Sequence, residues 1–191
     1  MIDTHQLVVV DIEATCWEGG KPPPGQQSEI IEVGVCVLSL ADGAISEARS
    51  LLVRPTVSEV SPFCTELTTL TAEQLRVGMS FEAACAALRA EYDTPRRPWA
   101  SWGSYDRRLF TEQCAGFGVD YPFSEHHINL KQRFGKLYRI KSAPGMAAAL
   151  DYLQLPLLGT HHRGSDDAHN IARIAAAVLA AHGREALLGK K

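Results

Sequence analysis

The chain has 191 residues, enough for one sizeable core and too few for two domains of ordinary size. Its composition, 46% hydrophobic and 21% charged, is that of a globular protein in water, and no apolar run is long enough to span a bilayer. A net charge of −3 argues against gripping nucleic acid by overall charge, and five scattered cysteines without a CxxC pair argue against a zinc cluster or a disulfide framework.

The first predicted element is a buried strand over residues 7–13, Leu7-Val8-Val9-Val10-Asp11-Ile12-Glu13. Residues 14–28 follow as a loop, because Gly19-Gly20-Lys21-Pro22-Pro23-Pro24-Gly25 cannot form regular structure. Such a loop is either a disordered insertion or a flap that touches a ligand. Residues 29–38 and 44–54 are β-rich and joined at Ala41-Asp42-Gly43, which completes a three-stranded meander. Thr71-Ala72-Glu73-Gln74 opens a short helix, and Ser80 caps a longer one over 80–91. Pro98 to Trp102 reads as a strand, Ser104 caps a helix from Tyr105 to about Phe117, and a short strand lies near Ile128. A basic helix comes next, then a helix beginning at Pro144, and last a long Ala-rich helix capped by Ser165. The order implies a mixed sheet covered by helices, with a frayed tail after His182.

Successive odd residues of a strand share a face, so Asp11 and Glu13 project side by side from the end of the first strand. Adjacent carboxylates repel unless a positive charge lies between them. Asp106 and Asp167, each at the start of a predicted helix, add two more. Four carboxylates without cysteine suit Mg²⁺ or Mn²⁺ better than zinc. Two such ions, roughly 3.5–4 Å apart, form the clamp used for phosphodiester cleavage, and Asp11 is the candidate bridge. His162, just ahead of the last helix, is the candidate general base. Each residue also has an ordinary explanation. Asp-x-Glu can be a polar exit from a strand, and an acid in a first helical turn complements the helix dipole. Without the four carboxylates the formal charge changes sign. Lys131, Arg133, Lys136, Arg139 and Lys141 then read either as a phosphate-binding face or as a solvated helix face.

In combination these stretches resemble the DEDDh branch of the DEDD 3′–5′ exonucleases. Asp11-Ile12-Glu13-Ala14-Thr15-Cys16 resembles the first exonuclease motif and Ser101-Trp102-Gly103-Ser104-Tyr105-Asp106 the second. His162-Arg163-Gly164-Ser165-Asp166-Asp167-Ala168 resembles the third, with histidine five residues before the second aspartate. The phrasing is closest to the enhanced-RNAi and histone-mRNA 3′-end exonuclease subgroup and its small bacterial relatives. The resemblance spans roughly residues 7–180.

It implies an α/β, RNase H-like mixed five-stranded sheet flanked by helices, as a single exonuclease domain over 1–183 with a tail over 184–191. It implies a two-metal hydrolysis, with Mg²⁺ or Mn²⁺, of single-stranded RNA or DNA from the 3′ end to 5′-nucleoside monophosphates. By the same resemblance Asp11, Glu13, Asp106 and Asp167 bind metal and His162 is the base. Its spacing selects Asp167 over Asp166 and His162 over His161. Ala14 and Thr15 would meet the terminal 3′ hydroxyl through their backbone, Leu67 and Thr68 would contact the terminal nucleotide, and Tyr105 would stack on its base.

Two other functions compete: a non-catalytic nucleic-acid-binding module that keeps the fold, and a proofreading exonuclease in a polymerase complex. Retention of all four acids and the histidine favours the enzyme over the first. The short C-terminal tail shows no docking segment for the second. His126 and His127 are expected at the surface, His169 packed or solvent-facing, and Trp99 and Trp102 in the core. The start, Met1-Ile2-Asp3-Thr4-His5, lacks a basic secretory n-region, so a cytoplasmic protein with reduced cysteines is expected. RNA against DNA, the physiological substrate and the oligomeric state stay open.

Overall fold

A computed structural model of the chain describes residues 2–189. Strand β1, Gln6–Ala14, is the centre of a five-stranded sheet of order β3-β2-β1-β4-β5. Strand β2, Ile30–Ser39, pairs antiparallel with β1, and β3, Arg49–Leu52, antiparallel with β2. Strand β4, Trp99–Ser101, lies parallel to β1, and β5, His127–Asn129, parallel to β4. The expected meander is therefore present, and β1 is where antiparallel pairing gives way to parallel. The carboxyl ends of β1 and β4 open side by side, the usual place for a site in such a sheet.

Strand alternation divides the core into two layers. Leu7 and Val9 point to one face with Cys36, Leu38 and the long helix α7, Gly164–His182. Val8, Val10 and Ile12 point to the other, against α3, Phe81–Tyr92, and α4, Tyr105–Phe117. Asp11 and Glu13 continue the odd-numbered series, so the pleat directs both toward α7. The small side chains of Ala168, Ala172 and Ala175 are buried in that layer and let the helix lie close to the sheet.

Several boundaries differ from expectation. The β-rich run 44–54 yields only a four-residue strand, because the Ser46 hydroxyl accepts the Val37 amide at 2.9 Å and takes the place of ladder pairing. Pro62–Thr68 forms a helix, α1, that hydrophobic periodicity does not mark, although Ser61 accepting the Cys64 amide ahead of Pro62 is a strong start signal. The short helix opened by Thr71 is Ala72–Arg76 (α2), closed by a reciprocal Thr71–Gln74 capping box. The basic helix is Leu130–Leu137 (α5), and Gly145 precedes Met146–Tyr152 (α6). Ser104 holds the N-cap position of α4 without a side-chain capping bond.

Ser165 does not cap α7. The helix starts one residue earlier, and the amide of Gly164 is satisfied from β2. Residues 184–188 are not frayed. They form a last helix, α8 (Arg184–Leu188), with Leu187 buried in the α7 layer and Arg184 bonded to Thr4. The tail expected at Lys190 and Lys191 lies outside the described residues. No helix among the described residues is long and apolar enough to cross a membrane.

Candidate active site

The three motif segments meet at the carboxyl end of β1. They line a cleft of about 230 Å³ that includes Asp11, Glu13, Tyr105, Asp106, His161, His162 and Asp167. Oxygens of Asp11, Glu13 and Asp167 lie within 4.8 Å of one another. Asp106 enters from the first turn of α4, and its Oδ1 accepts the Ile12 amide at 3.1 Å. The middle residue of the Asp-x-Glu motif thus anchors the third acid.

No hydrogen-bond donor among the described residues reaches the carboxylates of Asp11 or Glu13. Burial, followed by the charge of Asp106, pushes the Asp11 carboxyl well above the usual range. Burial, followed by the charge of Asp167, pushes Glu13 up to about 8. Burial raises Asp106 to about 6 despite its hydrogen bonds. Unpaired buried carboxylates in one cleft are costly, and a hard divalent cation relieves both desolvation and repulsion. The donor set, all oxygen and no thiolate, fits such an ion.

The two aspartates of α7 have separate roles. Asp166 turns away from the cleft and accepts the Thr160 amide at 2.7 Å, closing the loop before the helix. Asp167 faces the cleft and is buried. Asn170 fastens the same loop by bonding both backbone groups of Leu158.

Both histidines reach Asp167. His161 Nδ1 lies 2.9 Å from Oδ2, and the His162 amide donates to that same oxygen at 3.0 Å. The two rings stack with centroids 4.0 Å apart. His162 holds a φ of +65°, a left-handed conformation that a non-glycine residue adopts at some cost and that marks a constrained site. Burial and the adjacent His161 lower its pKa, which keeps the ring neutral and able to accept a proton. The imidazole bonded to Asp167 is that of His161, a contact that motif spacing does not reveal.

Of the residues expected at the substrate, only Tyr105 lines this cleft. It is 45% exposed, with Arg108 over its ring at 5.4 Å. Ala14 and Thr15 are buried and outside the cleft lining. The Thr15 amide donates to the Glu29 carbonyl at 2.8 Å, so the expected backbone contact is not available through its N–H. Leu67 sits in a neighbouring groove with Phe63 and Glu18. Thr68 is fully buried and its hydroxyl donates to the Cys64 carbonyl at 2.8 Å.

Trp99 is core, as expected, but Trp102 lines the cleft with Met146, its indole N–H donating to the Pro144 carbonyl at 3.2 Å. His127 is not a free surface residue. Its ring packs 4.2 Å from that of Trp99, its Nε2 lies 2.9 Å from the Ser101 hydroxyl, and burial lowers its pKa to about 4. The cause is its place in β5, next to the large Trp99 ring. All five cysteines are free, four of them buried. The Pro-rich loop is tied down at its end, where Gln26 accepts the Glu59 amide and the Gln27 amide donates to Ser58.

The exonuclease (RNase_T) family model matches residues 8–175, nearly all of the chain and all three motif segments. The chain belongs to the exonuclease family. Within that family it is 31% identical over 183 residues to human 3′-5′ exoribonuclease 1, covering 91% of this chain and 52% of the relative. It is 25% identical over 166 residues to the probable 3′-5′ exonuclease KapD of Bacillus subtilis, covering 86% and 80%. Among solved structures, the nuclease domain of 3′hExo, a DEDDh family member bound to rAMP, superposes with a TM-score of 0.84. It is 28% identical and covered to 94% in both chains. These likenesses place the exonuclease chain in the DEDDh branch, with the RNase H-like sheet of that domain. The chain spans about half the length of the first curated relatives it matches.

Proposed function

We propose that this exonuclease hydrolyses single-stranded RNA, and short DNA, from the 3′ end, releasing 5′-nucleoside monophosphates. The observation that carries the reading is the cleft itself, where Asp11 and Glu13, both without donors, converge with Asp167 beside Asp106 and His162. The family and the relatives, two of them named as 3′-5′ nucleases, support the direction of attack.

In this reading Asp11, Glu13, Asp106 and Asp167 would hold two Mg²⁺ or Mn²⁺ ions, which would supply Lewis-acid activation of water and charge stabilisation for the leaving 3′ oxygen. His162, which lines the cleft beside Asp11 and Asp167, accepts the proton of that water. Tyr105 offers an exposed ring at the cleft mouth for the terminal base. In this reading the end of β1 and the chain after it, at Ala14 and Thr15, and the end of α1, at Leu67 and Thr68, approach the terminal nucleotide from outside the cleft lining. Five motif residues in one cleft favour catalysis over a purely binding module.

The test is a 5′-labelled single-stranded RNA and its DNA equivalent, incubated with Mg²⁺, Mn²⁺ or EDTA, wild type beside Asp11→Ala. A metal-dependent ladder receding from the 3′ end, absent in the variant, is the expected result. Retained binding without cleavage of either strand overturns the enzymatic reading and leaves a binding module.

A further inference from the structure

One buried carboxylate beside the cleft belongs to none of the three motifs. Glu32 stands opposite Glu13 in the β1–β2 register and is fully buried. Its pleat face is that of Asp11 and Glu13, toward α7. Unlike those two, it is surrounded by donors. Oε2 accepts the Gly164 amide at 2.9 Å and Arg163 Nε at 3.2 Å, and Oε1 accepts the Ser50 hydroxyl at 2.5 Å. The guanidinium reaches Oε1 as well, at 3.4 Å, and extends to Thr69 Oγ1 just after α1.

This contact fixes the end of α7 that carries the third motif. Arg163 and Gly164 lie between His162 and Asp167 in the chain. Two residues along β2, Gly34 meets the same turn so closely that a Cβ there would stand 1.8 Å from the Gly164 carbonyl oxygen. Further along, the Cys36 thiol donates to the Ala168 carbonyl at 3.5 Å. The helix therefore lies along β2, with Glu32 as the ionic tether at its first amide. A first-turn amide has no partner within its own helix, and α7 has no side-chain cap of its own. A charged acceptor from another element supplies that partner with a stronger bond than a hydroxyl cap gives.

We propose that Glu32 is a positioning residue for the exonuclease reaction: its carboxylate, clamped to Arg163 and the Gly164 amide, sets where Asp167 and His162 stand relative to Asp11 and Glu13. It touches neither substrate nor the reacting atoms. The inference rests on the proposed activity for its kinetic readout, and has a second readout that does not.

The experiment compares Glu32→Gln and Glu32→Ala in the full chain. It measures kcat and KM on a single-stranded oligonucleotide with Mn²⁺, and amide hydrogen exchange across the protein. Glutamine keeps an acceptor for Gly164 but loses the ionic clamp, whereas alanine loses both. Glu32→Gln is expected to lower kcat about tenfold and Glu32→Ala about a hundredfold, the range for one to two charged hydrogen bonds. KM should not change, and exchange should accelerate at residues 161–168 while the sheet stays protected. Unchanged kcat overturns the proposal, and so does a loss that merely tracks the folded fraction with exchange raised throughout. If the alanine variant does not fold, the glutamine variant carries both readouts. If the wild type cleaves no nucleic acid, the activity has failed but exchange still tests the tether. Wild-type protection at 161–168 in Glu32→Gln then sinks it.

Discussion

Two kinds of carboxylate face each other across the β1–β2 pairing in this protein, and their surroundings differ in one respect. Glu29 and Glu32 are saturated with donors. Glu29 accepts the backbone amides of Thr56, Val57 and Ser58 as well as the Thr56 hydroxyl. Asp11 and Glu13, on the adjacent strand, have neighbours that are mainly other acids. Burial alone therefore does not separate structural from functional acids. The separation lies in whether the fold provides the compensating charge or leaves it to a ligand.

The largest test of that contrast is Asp11→Ala. It should reduce turnover to background while circular dichroism and Tm report an intact fold, because the side chain removed had no partner in the metal-free protein. Turnover at the wild-type level would show that the unsatisfied acids do not hold the ions. His162→Ala should come next, slowing kcat by roughly a hundredfold or more with metal affinity retained. His161→Ala in parallel sharpens the comparison, since His161 makes the ring contact with Asp167. If His161→Ala is the more damaging change under single-turnover conditions, the base assignment moves to that residue.

The saturated class should respond in stability instead. Glu29→Ala removes the charged acceptor of three amides, of which that of Ser58 is buried, and should cost on the order of 2 kcal/mol in urea unfolding, with kcat per folded molecule little changed. A variant as stable as the wild type would dissolve the distinction between the two classes.

The remaining test is of pH. Asp11 and Glu13 have raised pKa values in the folded state, so between about pH 4, where unfolded carboxylates ionise, and about 8 for Glu13 the folded protein holds more protons. Stability without metal should then fall as pH rises through that window. Scanning calorimetry in EDTA should show a Tm lower at pH 8 than at pH 5, with the slope flattened in Glu13→Gln. Added Mn²⁺ should raise Tm more at pH 8 than at pH 6. A metal-free Tm that rises across the window would contradict the repulsive cleft.

Local pattern made a large part of this legible. Alternation placed Asp11 and Glu13 on one face of β1, and helix signals set the starts of α3 and α4 near Ser80 and Ser104. Motif spacing singled out Asp167 over Asp166, and in the fold Asp166 bonds the Thr160 amide while Asp167 lines the cleft. Those features depend on residues within a few positions of each other, whose backbone geometry fixes where side chains point.

What the tertiary structure decided depends on pairings across long stretches of chain. Glu32 meets Gly164 from 132 positions away, which is why α7 starts without Ser165 and why the tether left no mark in any motif. His161 reached Asp167, His127 was drawn against Trp99, and Arg184 with Leu187 turned an expected tail into a docked helix, each by packing no local periodicity encodes. Sequence by itself determined which acids exist and how they are spaced. Only folding decided which of them were given donors and which were left without, because a carboxylate's partners are set by the elements brought against it.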